Sequence, residues 1–351
     1  MPRVVRLLLA FITGVAIAPR ALAAQGGPGR PAVPAYHIVK RIPIPGEGGW
    51  DYLTIDPVAR RLYVSHATRV VVLDADADTI VGEIPNTMGV HGVALAPDLG
   101  RGFTSNGRDS SVTIFDARTL AVIANVKVTG RNPDAIVYDS ATHRVFTFNG
   151  GSDNATALDA RTGAVVGTIP LGGRPEFSTV DGAGRLWVNL EDKSSVVRLN
   201  TRALTAGAPW PLAPCEEPSG MAIDRASHRL FIGCSNKLMA VVDAESGRVV
   251  TTLPIGDGVD ANAFDPATKL AYSSNGDGTL TIVHEDGADR YSVVANVLTA
   301  ARARTMALDG KTGRVFLTTA QFTPAPAQTA ATPRPRPAMV PGTFVVLVLE
   351  P

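Results

Sequence analysis

The 351 residues hold only two cysteines, in no Cys-x-x-Cys or Cys-x-x-Cys-His spacing, which excludes a paired-cysteine zinc site and a covalently attached haem. No Gly-x-Ser-x-Gly elbow is present, so the common serine-hydrolase nucleophile is missing as well. Lys and Arg number 33 against 32 Asp and Glu, a net charge of +1, which gives no basic surplus for a nucleic-acid backbone. Apolar residues nowhere recur at helical spacing. Beyond the first twenty residues no hydrophobic run is long enough to cross a bilayer.

The chain does contain a repeat. An apolar run ending in an acidic turn recurs at Asp56, Ala96, Asp139, Asp181, Asp224, Asp265 and Asp309, in steps of 40 to 44 residues. Six or seven residues after each comes one aromatic: Tyr63, Phe103, Phe146, Trp187, Phe231, Tyr272 and Phe316. Each copy carries four short runs rich in Val, Ile, Phe and Thr, separated by Gly, Asn, Asp and Pro. In the second copy these are 92–95, 102–105, 112–115 and 121–126. A period near 40 with four strands per copy is the sign of propeller blades, each burying its faces only against its neighbours. The pattern predicts an all-β fold, a seven-bladed β-propeller with four antiparallel strands per blade over residues 35–351.

The ends of the chain predict how the ring closes. The seventh copy has strands at 305–308, 315–318 and 344–349 and then stops, while 36–42 is a spare outer strand whose context resembles Val166-Gly167-Thr168-Ile169-Pro170-Leu171-Gly172. Pairing the first segment with the last removes free edges. Between the second and third strands of that copy lies a long loop, 321–342, with Pro324, Pro326, Pro333, Pro335, Pro337 and Pro341. It reads as extended and irregular, either a solvated insertion or a loop over the mouth of the central channel.

The first residues read as an export signal. Arg3 and Arg6 precede an apolar run, 7–18, and Ala21-Leu22-Ala23 offers a small-residue cleavage site, so 1–23 is expected to be removed and 24–34 to form a linker. Loss of Arg3, Arg6 and Arg20 would take the net charge from +1 to −2. The mature protein is then expected in the periplasm or secreted, with no membrane span. In an oxidising compartment the two cysteines pair most simply with each other. Cys215 precedes the first strand of the fifth copy and Cys234 ends its second, so an antiparallel hairpin returns them to one edge.

Five residues before each turn position the copies read Asp51, His91, Asp134, Glu176, Ser219, Asp260 and Arg304, six of seven ionisable in a chain with 19% charged residues. Inner strands line a propeller's channel, so the column predicts a polar ring at one end. Four carboxylates and an imidazole on one axis repel each other unless a cation, a proton or Arg304 compensates. Asp134, Glu176 and Asp260, with His91 near them, would suit a divalent metal, the one cofactor the residues suggest. Asp51, Ser219, Glu217 and the neighbouring Trp50 would instead contact a small polar ligand, and Glu216 would add acidity. A channel that is polar only because it is wet remains the third reading. His66, Asn106, Asn149 and Asn275 end second strands, where such side chains are expected to satisfy turn backbone groups. His143 and His228 sit in the opposite turns and are expected to be solvated.

At the second strands the chain reads Tyr63-Val64-Ser65-His66, Phe103-Thr104-Ser105-Asn106 and Tyr272-Ser273-Ser274-Asn275, followed by strands ending in Val-Leu-Asp or Ile-Phe-Asp. These motifs resemble the YVTN-type repeats of the YncE-like seven-bladed propellers, from residue 36 onward. The resemblance implies export and a kinship with lactonases, with the propeller of methylamine dehydrogenase and with the haem-d1 domain of nitrite reductase. Some YncE-like proteins are associated with single-stranded DNA; this chain lacks the basic, aromatic-rich face for that. Two expectations follow. One is a non-catalytic exported propeller, favoured as a monomer, that binds a small polar molecule, a metal or a protein partner at the channel mouth. The other is a metal-dependent hydrolase of lactonase type, with His91 as general base and Arg304 orienting an anionic substrate.

Overall fold

The computed structural model describes residues 35–287, 289–324 and 337–351. The leader, the linker before residue 35 and the middle of the 321–342 loop lie outside the described residues. Seven sheets follow one another along the chain, each a four-stranded antiparallel meander apart from blade 4, whose outer edge is split into two short pieces. Blade 1, for example, is Trp50–Asp56, Arg61–His66, Arg69–Asp74 and Thr79–Ile84. Each inner strand packs on the inner strands either side, and that of blade 7 on that of blade 1, which closes the ring. Helix among the described residues is limited to two 3-10 turns, Pro97–Leu99 and Glu191–Lys193.

Blade 7 is assembled from both ends of the chain. His37–Pro43 pairs antiparallel with Val345–Glu350 and supplies the outer strand, as the sequence predicts. Arg60 of blade 1 ties this seam to its neighbour, its guanidinium 2.6 Å from the buried Asp309 carboxylate and 2.7 Å from Asp76.

The aromatic column accounts for the packing between blades. Tyr63, Phe103, Phe146, Trp187, Phe231, Tyr272 and Phe316 are all fully buried. Each contributes about 1.5–3 kcal/mol of burial. The acidic turn residues cap their own loops; Asp56, for instance, accepts the backbone N–H groups of Val58 and Ala59 at 2.9 Å. A second column escaped the sequence reading. Arginine opens the second strand in five blades (Arg61, Arg101, Arg144, Arg185 and Arg229) and immediately precedes it in blade 7 (Arg314), with Leu270 in the other. Each of these arginines reaches the turn between the third and fourth strands of the next blade. Arg61 donates to Ala117 O at 2.6 Å and Arg101 to Ala160 O at 3.0 Å. Arg229 meets Asp289 at 2.7 Å, and Arg314 closes the ring on Ala75 O at 2.9 Å. At blade 6 a hydroxyl bridge stands in: Tyr272 and Tyr36 are 3.1 Å apart, and Tyr36 donates to Gly313 O at 2.7 Å.

The two cysteines form a disulfide, with Cα atoms 5.4 Å apart, joining the segment before Pro218–Asp224 to the end of Arg229–Cys234. Such bonds persist in oxidising compartments, which fits an exported protein.

Candidate functional site: the channel mouth

A one-residue bulge shapes the start of the inner strand in blades 1 to 6. In blade 1 the register with the second strand shifts between Trp50 and Leu53, and the same shift recurs at Val90/Val93, Pro133/Ile136, Pro175/Ser178, Pro218/Met221 and Val259/Ala261. The extra residue falls within or beside the polar column, and a bulge re-aims a side chain out of the ordinary alternation. Second-strand side chains pin these bulges. Ser65 Oγ accepts the Asp51 N–H at 2.9 Å and donates to Tyr52 O at 3.0 Å. Ser105 accepts the Gly92 N–H at 2.9 Å and bonds the Asp134 carbonyl of the next blade, and Ser274 bonds the Arg304 carbonyl likewise. Asn189 Nδ2 reaches Ser219 O at 2.6 Å.

The column forms two linked groups. His91 Nδ1 lies 2.6 Å from Asp51 Oδ2 and 3.6 Å from Asp134 Oδ1, so one imidazole bridges two carboxylates. Across the mouth, Arg304 Nε is 3.2 Å from Asp260, whose other oxygen is 3.3 Å from the Ser219 hydroxyl. No hydrogen bond or ion pair ties Glu176 to another described residue; it interacts with Asp134, Asp260 and Asp51 through charge. Gly107 makes room for His91: a Cβ there would sit 2.6 Å from the imidazole Nε2. Beneath the ring Tyr52 and Phe177 meet with centroids 5.2 Å apart and narrow the channel.

Burial and mutual repulsion set the charges. Burial, then the neighbouring carboxylates, push Glu176 up to about 9, so it is protonated at neutral pH. Asp134 and Asp260 are each raised to about 6, again chiefly by burial, with Arg304 opposing the rise at Asp260. Asp51 is raised by burial against the pull of its His91 hydrogen bond. For His91, burial favours the neutral ring, but the Asp51 hydrogen bond and the charges of Asp134 and Asp51 outweigh it and bring the group to about 9. Asp51, Asp134 and Asp260 keep 24, 20 and 15% of their side-chain surface open, so water moderates these shifts. At pH 7 the mouth therefore sets an imidazolium and a guanidinium among the carboxylates of Asp134 and Asp260, with Glu176 neutral.

Other sequence-predicted residues fall into place around this ring. Trp50 stacks on Phe344, centroids 4.8 Å apart, and faces Phe322 at 6.1 Å. Glu217 is exposed beside the disulfide, its backbone N–H bonded to Ser194 Oγ at 3.1 Å. The turn role expected of His66, Asn106, Asn149 and Asn275 is corrected. Asn106 binds the side chains of Thr104, Ser111 and Thr113 at 2.8–3.0 Å, and Asn149 and Asn275 do the same inside their own sheets. Threonine and serine at alternate strand positions supply these partners, so the amide is satisfied by side chains rather than turn backbone. His66, fully buried, stacks on Phe344 at 4.8 Å instead. His143 is half-buried and bonded to Tyr138 at 2.9 Å, whereas His228 is exposed, as expected, and faces Glu245 at 3.1 Å.

Asp51, His91 and Asp134 offer ligand atoms within 4.8 Å of one another, the one such grouping among the described residues. This trio differs from the predicted Asp134, Glu176 and Asp260 set. The donors suit a borderline divalent ion, but the ring nitrogen that would face it is hydrogen-bonded to Asp51.

No family model matches the chain, and no curated protein is similar to it in sequence. Solved structures do resemble it in shape. One is a chain from Kuenenia stuttgartiensis hydrazine synthase, 16% identical, TM-score 0.69, covering 78% of this chain and 94% of that one. Another is a chain of a mitotic checkpoint complex, 16% identical, TM-score 0.71, covering 89% of this chain and 95% of that one. At that identity the likeness speaks to architecture alone, and it is with the seven-bladed β-propellers that this chain stands.

Proposed function

We propose that this is an exported, non-catalytic propeller of YncE-like type whose channel mouth binds a small polar ligand. The observation that carries the reading is the His91 bridge: with Nδ1 at 2.6 Å from Asp51 and 3.6 Å from Asp134, the ring supplies its own cation. Arg304 does the same for Asp260. A mouth whose acidic charge is partly offset from within presents fixed donors and acceptors, and preorganised polar groups of this kind give specificity at low ordering cost. The disulfide is in keeping with export.

A metal-dependent hydrolase is the second reading, favoured by the Asp51, His91 and Asp134 grouping. It asks His91 to be a neutral base or ligand. A group raised to about 9 holds its proton at pH 7, so an ion would have to expel it.

The two readings separate in one experiment on the full chain. Thermal shift against panels of polyols, amino acids, amines and dicarboxylates is expected to find compounds that raise the melting temperature, with the shift lost in the Asp134→Asn, Glu176→Gln double variant. Lactone and ester panels with added Mn, Ca or Zn are expected to show no turnover. Metal-dependent turnover abolished by His91→Ala would establish the hydrolase instead.

A further inference from the structure

A cavity of about 1080 Å³ lies to one side of the ring, between the loop before Trp50, the entry to blade 7 and the described part of the 321–342 loop. Its walls divide by chemistry. Trp50, Phe322, Met339 and prolines form an apolar side, and Gly48, Gly49, Gly258 and Gly276 leave bare backbone. Arg302 and Arg304 both open into it. Arg302 lies with its guanidinium carbon 4.0 Å from the Phe322 centroid and has no carboxylate partner among the described residues. Its backbone N–H, bonded to Gly276 O at 2.7 Å, fixes where the side chain starts. Arg304 meets Asp260 with Nε at 3.2 Å, and its terminal nitrogens make no hydrogen bond among the described residues. Glu47 is the one acid among the described lining residues.

We propose that this cleft takes a planar apolar molecule bearing one oxyanion, its flat body against Trp50 and Phe322 and its carboxylate or phosphate on Arg302 and Arg304. Guanidinium forks match both heads in paired geometry, and a guanidinium resting on an aromatic face keeps its in-plane N–H groups for such a partner. A volume near 1000 Å³ suits a drug-sized ligand. This deepens the binding reading, since the cleft shares Arg304 with the ring, but it rests mainly on Arg302, Trp50 and Phe322, which lie outside the ring.

The test is calorimetric titration of the full chain with 1-naphthoate, 1-naphthyl phosphate and 1-naphthylmethylamine. At least one of the two anions is expected to bind at least about tenfold more tightly than the amine, and their order identifies the head group. Arg302→Gln and Arg302→Lys are each expected to weaken the anion about tenfold or more, because lysine keeps the charge and loses the fork. Arg118→Gln, an exposed arginine on the opposite face, is expected to change nothing. Binding that ignores the ligand's charge, prefers the amine or survives both Arg302 substitutions overturns the assignment, as does the absence of anion binding. These results turn on Arg302, which lies outside the ring, whose own test is the Asp134 and Glu176 pair.

Discussion

At the scale of single residues, the mouth stores a conflict that pH should reveal. Glu176 titrates near 9 when folded and near 4.5 when unfolded, so the folded chain binds the extra proton. Stability is then greatest below pH 4.5 on this account and falls as pH rises toward 9. Glu176→Gln removes that loss. The variant is expected to melt about 2–5 °C above the parent at pH 8, with the gain shrinking toward pH 4. A variant that melts below the parent at pH 8 would mean Glu176 is ionised and paired. His91 runs the same way for a different reason: its proton is held by Asp51 and Asp134, so its contribution is full below pH 6.5 and disappears as pH rises through about 9. The sequence showed that these residues share a column, because the repeat fixes their place. It did not show which would touch, because that depends on a bulge that leaves composition unchanged.

Among elements, the outer strands carry a device of their own. In six blades one residue is skipped in the pairing of the outer strand, at Val39, Val81, Ile123, Val166, Val250 and Val294. A bulge twists an exposed edge out of the geometry another strand would need, so it guards against edge-to-edge pairing. The sequence repeat hides this too, since Ile-Val-Gly and Val-Val-Gly read as ordinary strand. The arginine latches were in plain view two residues before six of the seven aromatics and were overlooked because arginine at a strand start reads as solvated surface. They are a test of how blades hold together. Arg101→Ala removes charge-assisted bonds to Ala160 O and Arg161 O, each worth about 1–2 kcal/mol at a partly exposed site. The midpoint is expected to drop by about 3–6 °C. An unchanged midpoint would mean the aromatic column alone holds neighbouring blades.

For the whole molecule, the period of the repeat made the architecture legible, since seven copies of one aromatic can be buried together only if the copies pack as neighbours. Closure was legible from arithmetic on strands, three at the end and one spare at the start. Deleting 35–44 would strip Val345–Glu350 of its outer partner and remove the Lys40–Asp78 ion pair to blade 1, and the product is expected to aggregate or lose its sharp thermal transition. A normal melt would refute closure by strand exchange. The central claim is that His91 and Arg304 offset the acidic charge of the ring from within, so that the ring serves binding. The most direct measurement is an NMR titration of the His91 imidazole in the disulfide-bonded protein, assigned by His91→Gln. The expected result is a ring protonated on both nitrogens at pH 7 that titrates near 9. Titration at or below 6.5, or a metal-bound nitrogen shift at neutral pH, would contradict it.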